Sequence, residues 1–371
     1  MQYRQVCIES FGYTLPEEVV TSDEIEQRLA PLYERLRLPP GRLELMTGIR
    51  ERRFWPAGEL PSRRSIESGE KAIAAAGIDR RRIGALVHGS VCRDHLEPAT
   101  ASGVHHGLGL PDDCLIYDVS NACLGLLNGV VQVANMIELG QIEMGLVVGT
   151  EGSRQLVETT IAALNRDTSL TRRSVKPAVA SLTIGSGSCA ILLAHRRVSR
   201  TDNRLLAASY RASTEFHQLC QSGRDEAAAD GMQPLMQTDS EQLMHEGVTT
   251  GVATFKDFLE STGWSHENLH KTICHQVGVA HRKLLLESLG IEPEIDFTTV
   301  EWLGNTGSVA LPITMAIGLQ RGHVATGDNL GLLGIGSGIN CLMLALNWQR
   351  SLVQGEPLPT PRESLSTSAV E

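Results

Sequence analysis

A single cysteine stands in the run Val119-Ser120-Asn121-Ala122-Cys123-Leu124-Gly125, where a polar pair closes an apolar segment and small, apolar residues follow. If the chain is helical from Ala122 onward, the Cys123 sulfur meets the unpaired N–H groups of a helix start. Their partial positive charge favours a thiolate. A thiolate so placed is a candidate nucleophile for acyl transfer; the alternative is a buried structural thiol, since a free cysteine packs as a small hydrophobe. Two other polar residues fall at element ends. His275 closes the predicted strand Lys271 to Gln276, and Asn305 opens a loop, Trp302 to Pro312, that enters a helix. Each can donate a hydrogen bond to an enolate oxygen. Glycines at 336 and 338 allow a tight turn, so the backbone N–H groups of Cys123 and Ser337 can form a second oxyanion pocket.

The elements that must carry these residues alternate between short apolar strands and helices. Val6 to Phe11, Ile83 to Gly89, Leu115 to Val119, Gly145 to Gly149, Ser181 to Ala194 and Gly331 to Leu346 read as strands or as Gly-rich turns leading into strands. Ser22 reads as an N-cap with acids behind it. The helix after Cys123 runs to about Leu139 and is apolar on nearly every face, which predicts a central, buried helix. Two segments are close copies: Ile184 to Ala194 (IGSGSCAILLA) and Ile335 to Ala345 (IGSGINCLMLA). Their surroundings correspond too, with Asn121 and Asn305 each opening a loop, a helix and a strand. Such self-similarity predicts two α/β halves of one topology, residues 1–195 and 196–349, with mostly parallel sheets covered on both faces. Residues 151–180 are an irregular insertion in the first half. Residues 350–371, rich in Pro and Ser, read as a disordered tail. The glycines at 334–338 do not make a dinucleotide loop, because Ile339 stands where GxGxxG needs glycine.

Composition removes other classes. The 371 residues carry a formal net charge of −10, which gives no support to non-specific nucleic-acid binding. The eight cysteines form no CxxC pair, which argues for reduced thiols in the cytoplasm. No run of 18 apolar residues predicts a membrane span, and the first residues lack the apolar core of a signal peptide. Cys274, His275 and His281 do not share one helical face and have no second ligand pair, so neither a metal nor an organic cofactor is expected. The basic stretch Arg50, Arg52 and Arg53 is either a solvated turn or a contact for the phosphates of a nucleotide-like carrier.

Taken together, Cys123 in SNACLG, His275 in CHQVG, Asn305 in GNTGSVALP and the GIGSG turn resemble the thiolase superfamily. Within it they are similar to the ketoacyl-acyl-carrier-protein synthase III-like condensing enzymes. The resemblance spans roughly residues 3–348 and implies a thiolase-like five-layer αβαβα fold, a homodimer and acyl thioester substrates on CoA or on acyl carrier protein. The stretch Ser90 to Ser102 is similar to the loop of the OleA-type branch, which joins two fatty acyl-CoA molecules head to head. By that resemblance Glu97 is the catalytic carboxylate, reaching into the partner subunit's site. A non-decarboxylating enzyme must remove an α-proton, and a carboxylate can do so; otherwise Glu97 merely caps the helix after Pro98. The alternative function is decarboxylative condensation of acyl-CoA with malonyl-acyl carrier protein. The Trp and Arg that such synthases commonly carry before TGI are replaced here by Arg42 and Met46.

Overall fold

The structure, a computed structural model, describes residues 1–223, 235–275 and 277–357. The first half holds β1 (Val6–Thr14), β2 (Glu18–Thr21), α1 (Ser22–Arg28), α2 (Ala30–Leu36), α3 (Arg42–Thr47), β3 (Glu51–Phe54), α4 (Pro61–Ala76), β4 (Ile83–Gly89), α5 (Thr100–Leu108), β5 (Leu115–Val119), α6 (Gly125–Glu138), β6 (Met144–Glu151), α7 (Arg154–Arg166) and β7 (Gly187–His195). The second holds β8 (Arg204–Ala212), β9 (Cys220–Ser222), β10 (Met236–Thr238), α8 (Ser240–Thr262), β11 (Lys271–Cys274), α9 (Val279–Leu289), α10 (Val300–Leu303), α11 (Ala310–Gln320), β12 (Asn329–Gly336), β13 (Asn340–Asn347) and β14 (Val353–Gln354).

The main sheet runs β11-β12-β13-β8-β1-β7-β6-β4-β5, with β14 beside β1. In the first half β4 is parallel to β5 and β6, while β7 lies antiparallel between β6 and β1. In the second, β11 is parallel to β12, and β13 lies antiparallel between β12 and β8. Within the main sheet, all strands but one in each half therefore share a direction. The halves meet where β1 and β8 run antiparallel through the pair Cys7–Arg204. Beyond β11, Thr272 bridges in parallel to Asp296, at the place that β5 holds in the first half.

Three apolar cores separate the layers. One lies between α4, α5 and the strands β4, β6 and β7, and includes Ala72, Ile83, Leu86, Val104 and Leu146. Another lies between α8, α9 and β11 to β13, and includes Phe255, Phe258, Leu285, Leu333 and Met343. The largest lies between the two halves and takes side chains from α6 and α11 together with strands of both. Ala310–Leu319 of α11 is buried on every side, which is why that helix shows no polar face. The result is the αβαβα order of layers. A fourth cluster, with Ile25, Leu29, Leu43, Phe54, Val157, Ile161 and Leu182, packs α1 to α3 and β3 against α7 and the 3-10 turn Lys176–Thr183. The 151–180 insertion thus completes a cap.

Several local expectations change. The cap of α1 is Thr21, which forms a capping box with Glu24, while the Ser22 hydroxyl donates to Ile49 O at 2.5 Å. The chain after residue 349 is not a loose tail at its start: Val353 pairs with Phe11, and Glu356 takes the Lys71 ammonium at 2.6 Å. Residues 358–371 lie outside the described residues. Among the described residues no helix is long and apolar enough to cross a membrane.

Candidate active site

Cys123 is not on a helix. Val119 ends β5, α6 starts only at Gly125, and the five residues between are a tight elbow. Leu124 N donates to Asn121 O at 3.0 Å and Gly125 N to Ala122 O at 3.3 Å, with Ala122 forced to φ +45°. That left-handed backbone strains a residue with a Cβ and is held by its surroundings. Asn121 Nδ2 donates to Asn128 Oδ1 at 2.8 Å, tying the elbow to the first turns of α6.

The glycine turn that ends β12 seats the elbow. A methyl group at Gly336 would lie 3.1 Å from Leu124 Cγ and in contact, at 3.5 Å, with Cys123 Cβ, so the turn packs tightly against the elbow. Asn340 Nδ2 bridges the two pieces, reaching Asn121 Oδ1 at 3.3 Å and Ser337 O at 3.1 Å. The backbone N–H of Ser337 and that of Cys123 both donate toward the Cys123 sulfur. These are the two groups the sequence offers as an oxyanion pocket.

Helix-start N–H groups do not make this a ready thiolate. Burial pushes the Cys123 thiol up to about 12, Cys220 and Glu151 add to the rise, and the Ser337 and Cys123 N–H groups only partly offset it. The expectation of a depressed thiol fails because desolvation exceeds two N–H dipoles. No positive charge comes from His275, whose imidazole burial holds down to about 3, with His281 adding to the depression.

His275 follows β11 and is 2% exposed. Its N–H donates to Leu333 O at 3.0 Å. The preceding Cys274 N donates to Asp296 Oδ1 at 3.0 Å, and Asp296 is itself held by Arg282 Nε at 2.6 Å and Thr272 Oγ1 at 3.0 Å. A buried ion pair thus fixes the strand end that presents the imidazole. Both ring nitrogens of His275 are buried with no partner among the described residues. A neutral imidazole in that position keeps one N–H to donate.

Asn305 sits in the loop before α11. Its backbone is pinned on both sides, N to Thr183 O at 3.0 Å and O to Gly185 N at 2.9 Å. The side-chain Oδ1 accepts from Gly307 N at 3.0 Å, which aims the amide NH2 away from its own loop. Here the first glycine turn, Ile184 to Gly187, braces the Asn305 loop as the second braces Cys123. Ile184 pairs directly with Asn305, and a methyl group at Gly185 would run into Leu303 O.

Glu97 lies on the exposed loop between β4 and α5. It makes no hydrogen bond among the described residues of its own chain. Burial overturns the phosphate reading for one member of the basic stretch, Arg52. Arg52 is wholly buried, donating to Ser22 Oγ at 3.0 Å and Val20 O at 3.4 Å, and Arg53 donates to Pro16 O at 2.9 Å. Arg50 alone is exposed. His88 is a buried core histidine that desolvation holds down to about 4. Sequence reasoning passes over Glu151 and gives His281 no role beyond the rejected metal site. Glu151, a buried carboxylate ending the strand Met144–Glu151, was the available signal.

Two family models match: "Thiolase, N-terminal domain" over residues 63–176 and "3-Oxoacyl-[acyl-carrier-protein (ACP)] synthase III C terminal" over residues 259–348. An acyl-CoA:acyl-CoA alkyltransferase of Shewanella oneidensis is 44% identical over 94% of this chain and 100% of its own length. That of Xanthomonas campestris is 33% identical over 94% and 100%. Beta-ketoacyl-[acyl-carrier-protein] synthase III of Pseudomonas aeruginosa is more distant, at 25% identity over 94% and 98%. Crystal structures of Xanthomonas campestris OleA superpose with a TM-score of 0.88 at 33% identity, covering 94% of this chain and 98% of that one. One such structure, a cysteine-to-serine variant, has lauric acid and lauroyl-CoA bound (TM-score 0.87, 33% identity, 93% and 100% covered). The chain is an acyltransferase of thiolase-like fold and belongs to the acyl-CoA:acyl-CoA alkyltransferases, the OleA family of condensing enzymes.

Proposed function

We propose that the enzyme condenses two fatty acyl-CoA molecules head to head, without decarboxylation. The observation that carries this is the convergence of the Cys123 elbow and two N–H donors, beside family membership in which a relative binds lauroyl-CoA. In the first step Cys123 sulfur attacks the thioester carbonyl of one acyl-CoA. The developing oxyanion is met by the N–H groups of Cys123 and Ser337, the C–S bond to CoA breaks, and the thiol proton ends on the departing CoA sulfur. In the second step another acyl-CoA places its thioester oxygen on His275 and Asn305. Glu97 takes the α-proton, and the enolate carbon attacks the acyl-Cys123 carbonyl. Cys123 leaves as a thiolate and recovers a proton. Hydrolysis of the 2-alkyl-3-ketoacyl thioester then releases CoA and a 2-alkyl-3-keto acid. A His275 held neutral suits an electrophilic donor better than a base.

Glu97 would act across a homodimer. β5 is the outer strand of the sheet, and its free edge carries Leu115, 52% exposed. Val91 and Leu96 of the Glu97 loop are also exposed, at 45% and 57%. Apolar side chains around an unpaired edge favour pairing with a second copy. Eight unpaired thiols suit a reducing compartment, and we place the enzyme in the cytoplasm with CoA, not carrier protein, bearing both substrates.

The test is product analysis with one purified long-chain acyl-CoA. Wild type should release CoA and form the head-to-head product with no malonyl donor. Glu97→Gln should still be acylated at Cys123 but lose condensation by about 10²- to 10⁴-fold, the range for removing a general base. An unchanged product in the variant removes Glu97 as the base, and CO2 release that depends on malonyl thioester removes the head-to-head reading.

A further inference from the structure

The structure assigns to Glu151 the role of a positioning residue that clasps the Glu97 loop to the Asn305 loop and so sets the geometry of condensation. The inference rests on the proposed reaction and adds a residue to it. Glu151 ends β6 and is 5% exposed. Its backbone is fixed by pairing with Gly187 and by the Trp55 Nε1 donor on its carbonyl at 3.0 Å.

The carboxylate reaches in two directions. Toward the first loop it accepts from Val91 N at 2.9 Å and from Cys92 N at 3.3 Å. Toward the second it accepts from Ser308 Oγ at 2.5 Å and Ser308 N at 3.4 Å. Gly307 stands against it with φ +59°, and a methyl group there would lie 3.1 to 3.3 Å from Glu151 Cγ, Cδ and Oε1. Gly307 is also the residue whose N–H orients the Asn305 amide. The far end of the Glu97 loop is anchored separately, where Asp118 accepts from Thr100 N at 2.8 Å and Ala101 N at 2.9 Å. Glu97 therefore arches between two carboxylate anchors, and one of these also grips the Asn305 loop. A bidentate acceptor that joins two loops through four donors fixes their spacing as no apolar side chain could.

The same carboxylate contributes to holding the Cys123 thiol up. This gives the two half-reactions opposite responses. Removing the charge frees the loops that serve condensation, yet it eases ionisation of the sulfur that serves acylation.

The experiment compares wild type, Glu151→Gln, Ser308→Ala and Glu97→Gln. It follows acylation of Cys123 by mass spectrometry in single turnover, product formation from one acyl-CoA, and the pH dependence of Cys123 alkylation by iodoacetamide. Glu151→Gln should acylate at least as fast as wild type and lose condensation by about 10- to 100-fold, as expected for a misplacement on the ångström scale. Its alkylation profile should move to lower pH. Ser308→Ala, a smaller change that keeps the carboxylate, should show the same condensation loss more weakly, and it carries the test if the glutamine variant does not fold. Equal losses in both half-reactions, or condensation at the wild-type rate, would overturn the assignment. If wild type itself forms no head-to-head product, the proposed reaction is what fails. If wild type does so and only the Glu151 and Ser308 variants match it, the clasp alone fails.

Discussion

Cys123 carries two opposed environments. Two N–H groups point at its sulfur, yet burial, Cys220 and Glu151 hold the proton on. In the absence of substrate, alkylation of Cys123 by iodoacetamide should therefore be slow at neutral pH and still be rising at pH 10, tracked peptide by peptide. A plateau reached by pH 8 would contradict a thiol pushed up to about 12. The places of the cysteine, the histidine and the asparagine were legible because each falls just past the end of an element within a recognisable motif. The protonation of the thiol was not, since it depends on how much water the folded elbow excludes. Arg52 misled for the same reason: its charge is plain in the sequence, but its burial against Ser22 and Val20 is a property of the packing of β3. Glu151 was missed because its partners at 91, 92 and 308 are remote in sequence.

Elements are held at short range by glycine. Where β4 passes the start of α6, a methyl group at Gly89 would lie 2.7 Å from both Gly125 O and Leu126 Cα, backbone atoms that cannot swing aside. Gly89→Ala should thus lower stability by about 1 to 3 kcal/mol, the ordinary cost of overpacking, read as a drop in the urea midpoint. An unchanged midpoint would mean that the strand and helix separate without cost. Most strands of the main sheet, though not β8, and the buried helix α6 were readable from apolar runs and from the repeat of GSG turns. Helix starts were less so. The sequence predicts a helix over Thr249 to Thr262, but α8 begins at Ser240, with the Asp239 side chain accepting from Gln242 N. The cap built by α7 and Lys176–Thr183 was not foreseeable either, because its apolar face is matched only by α1 to α3.

At the scale of the molecule, three imidazoles are folded in neutral. Burial holds His88 and His281 down to about 4 and His275 to about 3. An unfolded histidine titrates near 6.5. Above that pH both states leave these rings neutral, and stability does not respond to them. Below it only the unfolded chain takes up protons, so stability falls as pH falls from about 6.5 toward 4. Each ring contributes up to one proton to that slope, about 1.4 kcal/mol per pH unit at most. Thermal midpoints measured between pH 7 and pH 4.5 should decline, and His88→Leu should decline less steeply; a parallel decline would mean His88 is protonated in the fold.

The two glycine turns are a repeated feature with a reciprocal use. The turn of the first half seats the asparagine of the second, and the turn of the second seats the cysteine of the first. Each half therefore holds a functional loop of the other, so a change in either turn is felt at the residue the other half supplies. The exchange also orders events during synthesis on the ribosome. Cys123 emerges early, but its elbow stays unbraced until residues past 336 are made.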